Sequence, residues 1–225
     1  MTSPLLELPA TPAAAVEVFG DRLLLAERYV ALLAGAGVER GLIGPRETPR
    51  LWERHILNCA GLADLPDEGD TVLDLGSGAG LPGLVLALRR PDIEVVLVEA
   101  LQRRATFLAE AVEHLGLTNV TVRRARGEEL VGTIEVDVVT ARAVAPLERL
   151  GGWALPLLRS HGRLLALKGE QADAELAAAR PALRKAGAVE AEVVMVGNAE
   201  QLTEARVVVV TRGVASSRRS AKRPR

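Results

Sequence analysis

Cysteine is almost missing from this 225-residue chain, where Cys59 stands alone. A single thiol forbids an internal disulfide and suits a reducing compartment. Aromatic side chains make up only 2% of the residues, so any core must be built from aliphatic groups. Lysine is scarce too, three among 28 basic residues, which reads as codon bias and not as a phosphate-binding design. No apolar stretch reaches membrane-spanning length. The opening "MTSPLLELPATPAAA" has neither the basic start nor the long apolar centre of a secretory signal. The expected localisation is therefore cytoplasmic. No set of residues has metal-ligand spacing, so no metal site is expected.

What is present is an ordinary balance for a globular domain, with 48% apolar and 25% charged residues. The net charge of −1 hides an asymmetry. The last ten residues, "SSRRSAKRPR", hold five basic groups and no acid, leaving 23 basic against 29 acidic residues in the body. Residues 213–225 are read as a basic, disordered tail. Residues 13–36 carry apolar groups at helical spacing, with Gly35 and Gly37 as the stop, and 49–64 read as a second helix. "GLIGPRETP" between them is a turn-rich connector, and "LPDEGD" marks a boundary near residue 67. Residues 1–66 are thus expected to form an N-terminal helical arm, and 67–212 the main domain.

From residue 67 the pattern alternates. Seven Val/Leu-rich runs begin with "TVLDL" and end with "ARVVVVT". Helical stretches separate them at 82–90, 103–115, near 128–131, at 146–159 and at 171–186. Continuous apolar runs imply strands covered on both faces, and alternation with helices implies a parallel sheet. The link "GNAEQLTEA" is too short for a helical crossover, so the last two strands should pair antiparallel at the sheet edge. The fold class is α/β, a doubly wound, Rossmann-like seven-stranded sheet with a helical arm.

The stretch "VLDLGSGAGLPG" packs four glycines into eight residues directly after the first strand. Ligands in open α/β sheets bind at the carboxyl ends of strands, near the point where strand order reverses. Gly78-x-Gly80-x-x-Gly83 matches a dinucleotide fingerprint, but a lone match is weak. Asp74, two residues before Gly76, is taken to face the loop, where a carboxylate would oppose a pyrophosphate and suit a sulfonium. Glu99 ends the second strand, in place to grip two ribose hydroxyls. Asp74, Gly76, Gly78, Gly80 and Glu99 are therefore candidate cofactor-binding residues, and a nucleoside ligand is expected.

The segments "RHILN" (54–58), "VLDLGSGAGLPGLVLA" (72–87), "VVLVEALQRRATFL" (95–108), "LGLTNVTV" (115–122), "DVVTARAVAPL" (137–147) and "LPLLRSHGRLLALKGE" (155–170) resemble the glucose-inhibited division protein B family. Its members are bacterial small-subunit (16S) ribosomal RNA methyltransferases that modify guanine N7 in a loop near the decoding site. The resemblance implies a class I methyltransferase sheet and S-adenosylmethionine as cofactor. It implies 16S ribosomal RNA, or an assembling subunit, as partner. It implies that Gly76 and Leu81 line the methionine and nucleoside part of the pocket, that Gly127 and Glu128 frame the adenine, and that Arg142 stands at the cofactor and target side. Asn58 stands where the family usually has Asp, and Glu99 where it often has Asp.

Guanine N7 has a lone pair and no proton, so its methylation needs no general base. Three residues are candidates for the catalytic side: Arg142, Lys168 at the end of the fifth strand, and His55. For His55, contact with RNA or orientation of a neighbour competes with simple packing of its ring. Arg103, Arg104, Arg123, Arg124 and Arg126 are read either as a basic rim for phosphates or as plain surface. A monomer is expected. The competing readings are a nicotinamide-dependent oxidoreductase and a non-catalytic module that binds RNA or the cofactor.

Overall fold

The computed structural model describes residues 8–197 and 204–214, so the expected tail lies outside the described residues beyond Val214. Seven strands form one sheet: β1 (Thr71–Leu75), β2 (Glu94–Val98), β3 (Val120–Arg123), β4 (Val136–Arg142), β5 (Leu158–Lys168), β6 (Ala188–Val196) and β7 (Ala205–Arg212). Their order is β3-β2-β1-β4-β5-β7-β6. β1 to β5 run parallel, while β7 lies antiparallel between β5 and the edge strand β6. All seven apolar runs expected from sequence are strands. The strand order reverses between β1 and β4, which opens a crevice at their carboxyl ends.

The helical segments are α1 (Ala13–Phe19), α2 (Leu23–Leu32), α3 (Asn58–Ala60), α4 (Gly83–Arg89), α5 (Gln102–Leu115), α6 (Leu147–Ala154) and α7 (Ala172–Lys185), with shorter 3₁₀ and π turns between them. Three expectations are corrected. Gly35 and Gly37 do not end the first helical segment: a π-helical turn, Leu33–Gly37, carries the chain through them. The connector over 41–49 is partly helical, a 3₁₀ helix at Pro45–Arg50. The expected helix at 146–159 stops early, because Leu155–Leu157 tightens to 3₁₀ around Pro156 and Leu158 already pairs with Val136 in the sheet.

Alternate residues along the inner strands feed two apolar cores. Val72, Val95, Leu97, Val138, Leu165 and Val207 face one side, and there they meet α4, α5 and the arm. Leu73, Val96, Val139, Leu164 and Val208 face the other, against α6 and α7. The arm's largest buried side chains, among them Tyr29, Leu33, Leu51, Ile56 and Leu62, belong to the first core. Tyr29 also donates its hydroxyl to Ala79 O at 2.8 Å, so the arm grips the glycine loop by a polar contact as well.

Asp74 ties the far side of the same loop. It is fully buried, with Oδ2 accepting from Gly83 N at 3.0 Å. A carboxylate at the first amide of α4 satisfies a donor that the helix itself leaves free. Asp74 therefore looks under the loop and not out of it. Burial pushes its carboxyl up to about 7, against the hydrogen bond from Gly83, and Oδ1 has no partner. The expectation that Asp74 presents a free negative charge to a ligand is corrected on these grounds. The glycines follow the same logic. A Cβ on Gly80 would stand 2.4 Å from Leu84 Cδ1, and one on Gly83 would stand 2.4 Å from Leu97 Cδ2. Those two positions are bare because protein packs against them.

Tyr29→Phe should lower stability by about 1–2 kcal/mol, since Ala79 O loses its buried donor; urea denaturation with unchanged slope would show it. The Asp74 carboxyl titrates in the folded protein above its ordinary value near 4, at about 7. Over that window the unfolded chain has released the proton that the folded chain keeps, so stability falls as pH rises, and the loss is complete above it. Asp74→Asn should accordingly harm stability less at pH ~8 than at pH ~5 in paired urea titrations.

Candidate functional site

A cleft of about 340 Å³ opens at the carboxyl ends of β1, β2 and β4, walled by Gly76, Glu99, Gly127, Glu128, Val144 and Trp153, with Arg126 and Arg149 at its margin. The walls are mostly apolar, with two carboxylates and two guanidinium groups, the mixture a small-molecule pocket needs. Gly76 adopts φ +72°, and a Cβ there would stand 3.0 Å from Val144, so the main chain itself forms the floor. Glu99 is nearly buried. Its Oε2 accepts from Gly78 N at 3.1 Å and its Oε1 from Leu101 N at 2.9 Å. These backbone donors fix the carboxylate in the wall, and Arg104 stands 3.8 Å away.

Of the expected cofactor residues, Gly76, Glu99, Gly127 and Glu128 meet in this cleft. Asp74, Gly78, Gly80, Leu81 and Arg142 are not among the residues that wall it. Gly78 touches it indirectly through Glu99, and Leu81 packs half-buried on the first core. Gly127 opens a 3₁₀ helix, Gly127–Leu130, where a Cβ would come within 2.9 Å of Leu75 Cδ1.

Arg142 ends β4 but turns towards the arm. Its Nη2 donates to His55 Nδ1 at 2.8 Å and to Arg54 O at 3.2 Å, and its Nη1 donates to Cys59 Sγ at 3.2 Å. Arg54, His55 and Cys59 lie on or just beyond a π-helical turn, Leu51–Leu57. π turns of this kind recur at functional sites. His55 Nε2 meets Glu47 Oε2 at 3.0 Å. Burial and then the Arg142 cation hold the His55 imidazole below its ordinary pKa, so the ring is neutral near pH 7. Cys59 is buried, as expected of a small hydrophobe, and burial pushes its thiol up to about 11. Lys168 donates to Ala145 O at 3.2 Å and to Glu175 Oε1 at 2.8 Å, which braces the loop after β4. Neither His55 nor Lys168 walls the cleft.

The basic rim divides in two. Arg126 borders the cleft and, with Arg124, also lines a shallow hollow beside it. Arg104 is drawn towards Glu99. Sequence reasoning missed Arg149 and Trp153, which stand four apart on one face of α6 with the guanidinium 5.3 Å from the ring centroid. A signal existed: Trp153 is one of two tryptophans in an aromatic-poor chain, and it follows the strand that borders the crevice.

The family model for rRNA small subunit methyltransferase G matches residues 22–218. A protein named Ribosomal RNA small subunit methyltransferase G from Streptomyces avermitilis is 62% identical over 192 residues, covering 85% of this chain and 81% of the relative. One of the same name from Thermobifida fusca is 57% identical over 198 residues, covering 88% and 84%. Among solved structures, a SAM-dependent O-methyltransferase from Thermotoga maritima aligns with a TM-score of 0.55 at 18% identity, over 76% of this chain and 71% of that one. M. jannaschii TYW2 in complex with AdoMet aligns with a TM-score of 0.53 at 19% identity, over 72% and 76%. The solved structures show the fold, and the close relatives show the family: this chain belongs to the small-subunit ribosomal RNA methyltransferase G family.

Proposed function

We propose that this protein transfers a methyl group from S-adenosylmethionine to N7 of a guanine in a loop of 16S ribosomal RNA, free or in an assembling subunit, and that it acts as a cytoplasmic monomer. The observation that carries the reading is the cleft at the β1/β4 reversal in a chain of this family, with Gly76 as its floor and Glu99 fixed in its wall. The residues present fit that cofactor. Glu99 offers acceptor oxygens to a ribose diol, and Val98, Ala125, Gly127 and Trp153 form a largely apolar slot for a purine. When bound, S-adenosylmethionine supplies an electrophilic methyl carbon on a sulfonium.

The chain's own residues would then position and exclude water. An attacking N7 has no proton to lose, so the reaction asks for alignment of reactants and not for a base. Both ring nitrogens of His55 are engaged, and so is Lys168 Nζ. Neither is free to take a proton, which suits this chemistry. His55 is read as a residue that orients Arg142, and Lys168 as a brace on the β4–α6 loop. In an A-form duplex the N7 edge lies in a deep groove closed to side chains. The target must therefore be splayed from its stack. Arg142, two residues before Val144 in the cleft wall, stands at the boundary between cofactor and target. Within this scheme residues 1–66 serve as an arm on a transferase domain of residues 67–212.

The direct test is methyl transfer from labelled S-adenosylmethionine to unmodified small-subunit RNA and particles, followed by base-resolved mapping. Label on a guanine N7 is expected; tight NAD binding without affinity for S-adenosylmethionine would favour the oxidoreductase, and binding without transfer the non-catalytic module. Gly76→Val should abolish cofactor binding in calorimetry, because its side chain would collide with Val144 from a left-handed backbone. Arg142→Ala should leave cofactor affinity within about threefold and lower kcat at least about tenfold, a loss confined to the transition state. Transfer at the normal rate would remove Arg142 from the reaction.

A further inference from the structure

The arrangement around Arg142 reaches one residue further than the site described so far. A guanidinium has donors only, so His55 Nδ1, 2.8 Å from Arg142 Nη2, must accept. The imidazole then carries its proton on Nε2, and that N–H points at Glu47 Oε2, 3.0 Å away. Glu47 sits in the 3₁₀ helix Pro45–Arg50, just ahead of the π turn that bears His55. Its other oxygen accepts from Arg54 Nη1 at 3.1 Å, so one carboxylate holds two consecutive residues of that turn. The charged and titratable groups around the ring are Glu47, Arg54, Cys59 and Arg142.

On the other side of Arg142 the backbone turns sharply. Ala143 is one of two non-glycine residues with positive φ among the described residues, at φ 54°. That turn brings Val144 down onto Gly76 and into the cleft wall. A left-handed alanine persists only where its neighbours hold it. The neighbour before it is Arg142, held in turn by the arm.

We propose that Glu47 is a positioning residue for methyl transfer: with Arg142 it fixes the Nε2–H tautomer of His55, which presents a lone pair to Arg142 and so holds the guanidinium in place beside the turn after β4. The proposal rests on the reading above that Arg142 serves the transfer step. Without the carboxylate, Arg142 alone selects the tautomer, and the Nε2–H form loses one of its two supports. An Nδ1–H ring would aim a donor at a donor, and Arg142 would lose its shortest acceptor.

The test is a double-mutant cycle on the full-length protein with small-subunit RNA as substrate. Asn at position 55 keeps an acceptor oxygen on the Nδ1 side and has nothing to reach Glu47. Glu47→Ala in the native background should lower kcat about three- to tenfold with the KM for S-adenosylmethionine within about twofold. In a His55→Asn background the same substitution should change kcat less than about twofold, because the link it breaks is already gone. Glu47→Gln, which retains an acceptor, should recover most of the rate. A second readout needs no substrate: ¹⁵N NMR of the imidazole nitrogens, with the His55 signals identified by their loss in His55→Asn. The native chain should show an unprotonated Nδ1 and a protonated Nε2, and Glu47→Ala should mix the tautomers. An Nδ1–H tautomer in the native chain, no change of tautomer in Glu47→Ala, or an equal cost of Glu47→Ala in both backgrounds would overturn the proposal. If the native chain shows the expected tautomer yet transfers no methyl to RNA, the functional reading falls and takes the catalytic part of this one with it.

Discussion

Arg142 is a half-buried cation whose three hydrogen bonds all run to acceptors on the arm: a backbone carbonyl, an imidazole nitrogen and a thiol sulfur. Among the described residues no carboxylate lies within ion-pair reach of it. Hydrogen bonds from a charged donor contribute more than neutral ones, about 1.5–3 kcal/mol each. The planar fork serves several acceptors at once, which the single ammonium of a lysine cannot. Because Arg142 ends β4 and its acceptors belong to residues 54–59, this contact fastens the arm to the sheet at the place where the strand order reverses. The apolar core beneath is generic by comparison. It brings the arm to the right face, while Arg142 sets its position at the crevice.

The sheet was legible because its inner strands are covered on both faces, so unbroken runs of Val and Leu announced them, while the edge strands β3 and β6 keep exposed positions. Boundaries were less so. Leu158 pairs with Val136 because of where β4 lies, and no local signal at 155–159 distinguishes the end of a helix from the start of a strand. The glycines at 35 and 37 misled for a related reason: a helix can widen to a π turn instead of stopping when packing on both sides holds it. In the cleft, Gly76, Glu99, Gly127 and Glu128 could be named because strand ends on one edge of a parallel sheet converge. Asp74 was read as facing outward, since sequence spacing does not say whether a strand-end acid looks over a loop or under it. His55 and Arg142 were each singled out, yet they are 87 residues apart and nothing local links them. Trp153 was legible only as a rarity.

Two of the candidate catalytic groups, His55 and Lys168, are already spoken for. His55 gives one nitrogen to Arg142 and the other to Glu47; Lys168 is shared between Ala145 O and Glu175. Proton removal by either of these two would need its hydrogen bonds to be released first. Alkylation of a lone pair requires neither, and it gains from walls that stay fixed while the reactants are brought into line. On the proposed function, hydrogen bonds that hold His55 and Lys168 in place are a working feature.

The burial of Asp74 moves the basis for cofactor choice. A carboxyl held near 7 in a dry interior, already accepting from Gly83, exerts little repulsion on an anion outside the loop. On the proposed function, Glu99 takes over that part. It stands in the cleft wall, and an ionised carboxylate is acceptor-only, able to receive hydrogen bonds from sugar hydroxyls but to give none to a phosphate. Two backbone amides orient it without filling all its lone pairs. A diphosphate laid across Gly76 would therefore meet an oriented anion at short range in a mostly apolar cleft, where charge repulsion is weakly screened. A nucleoside with free hydroxyls and a cationic sulfur meets the same group as a partner. On the proposed function, the selection lies with Glu99, directly after β2, and Asp74 is left to hold the loop in shape.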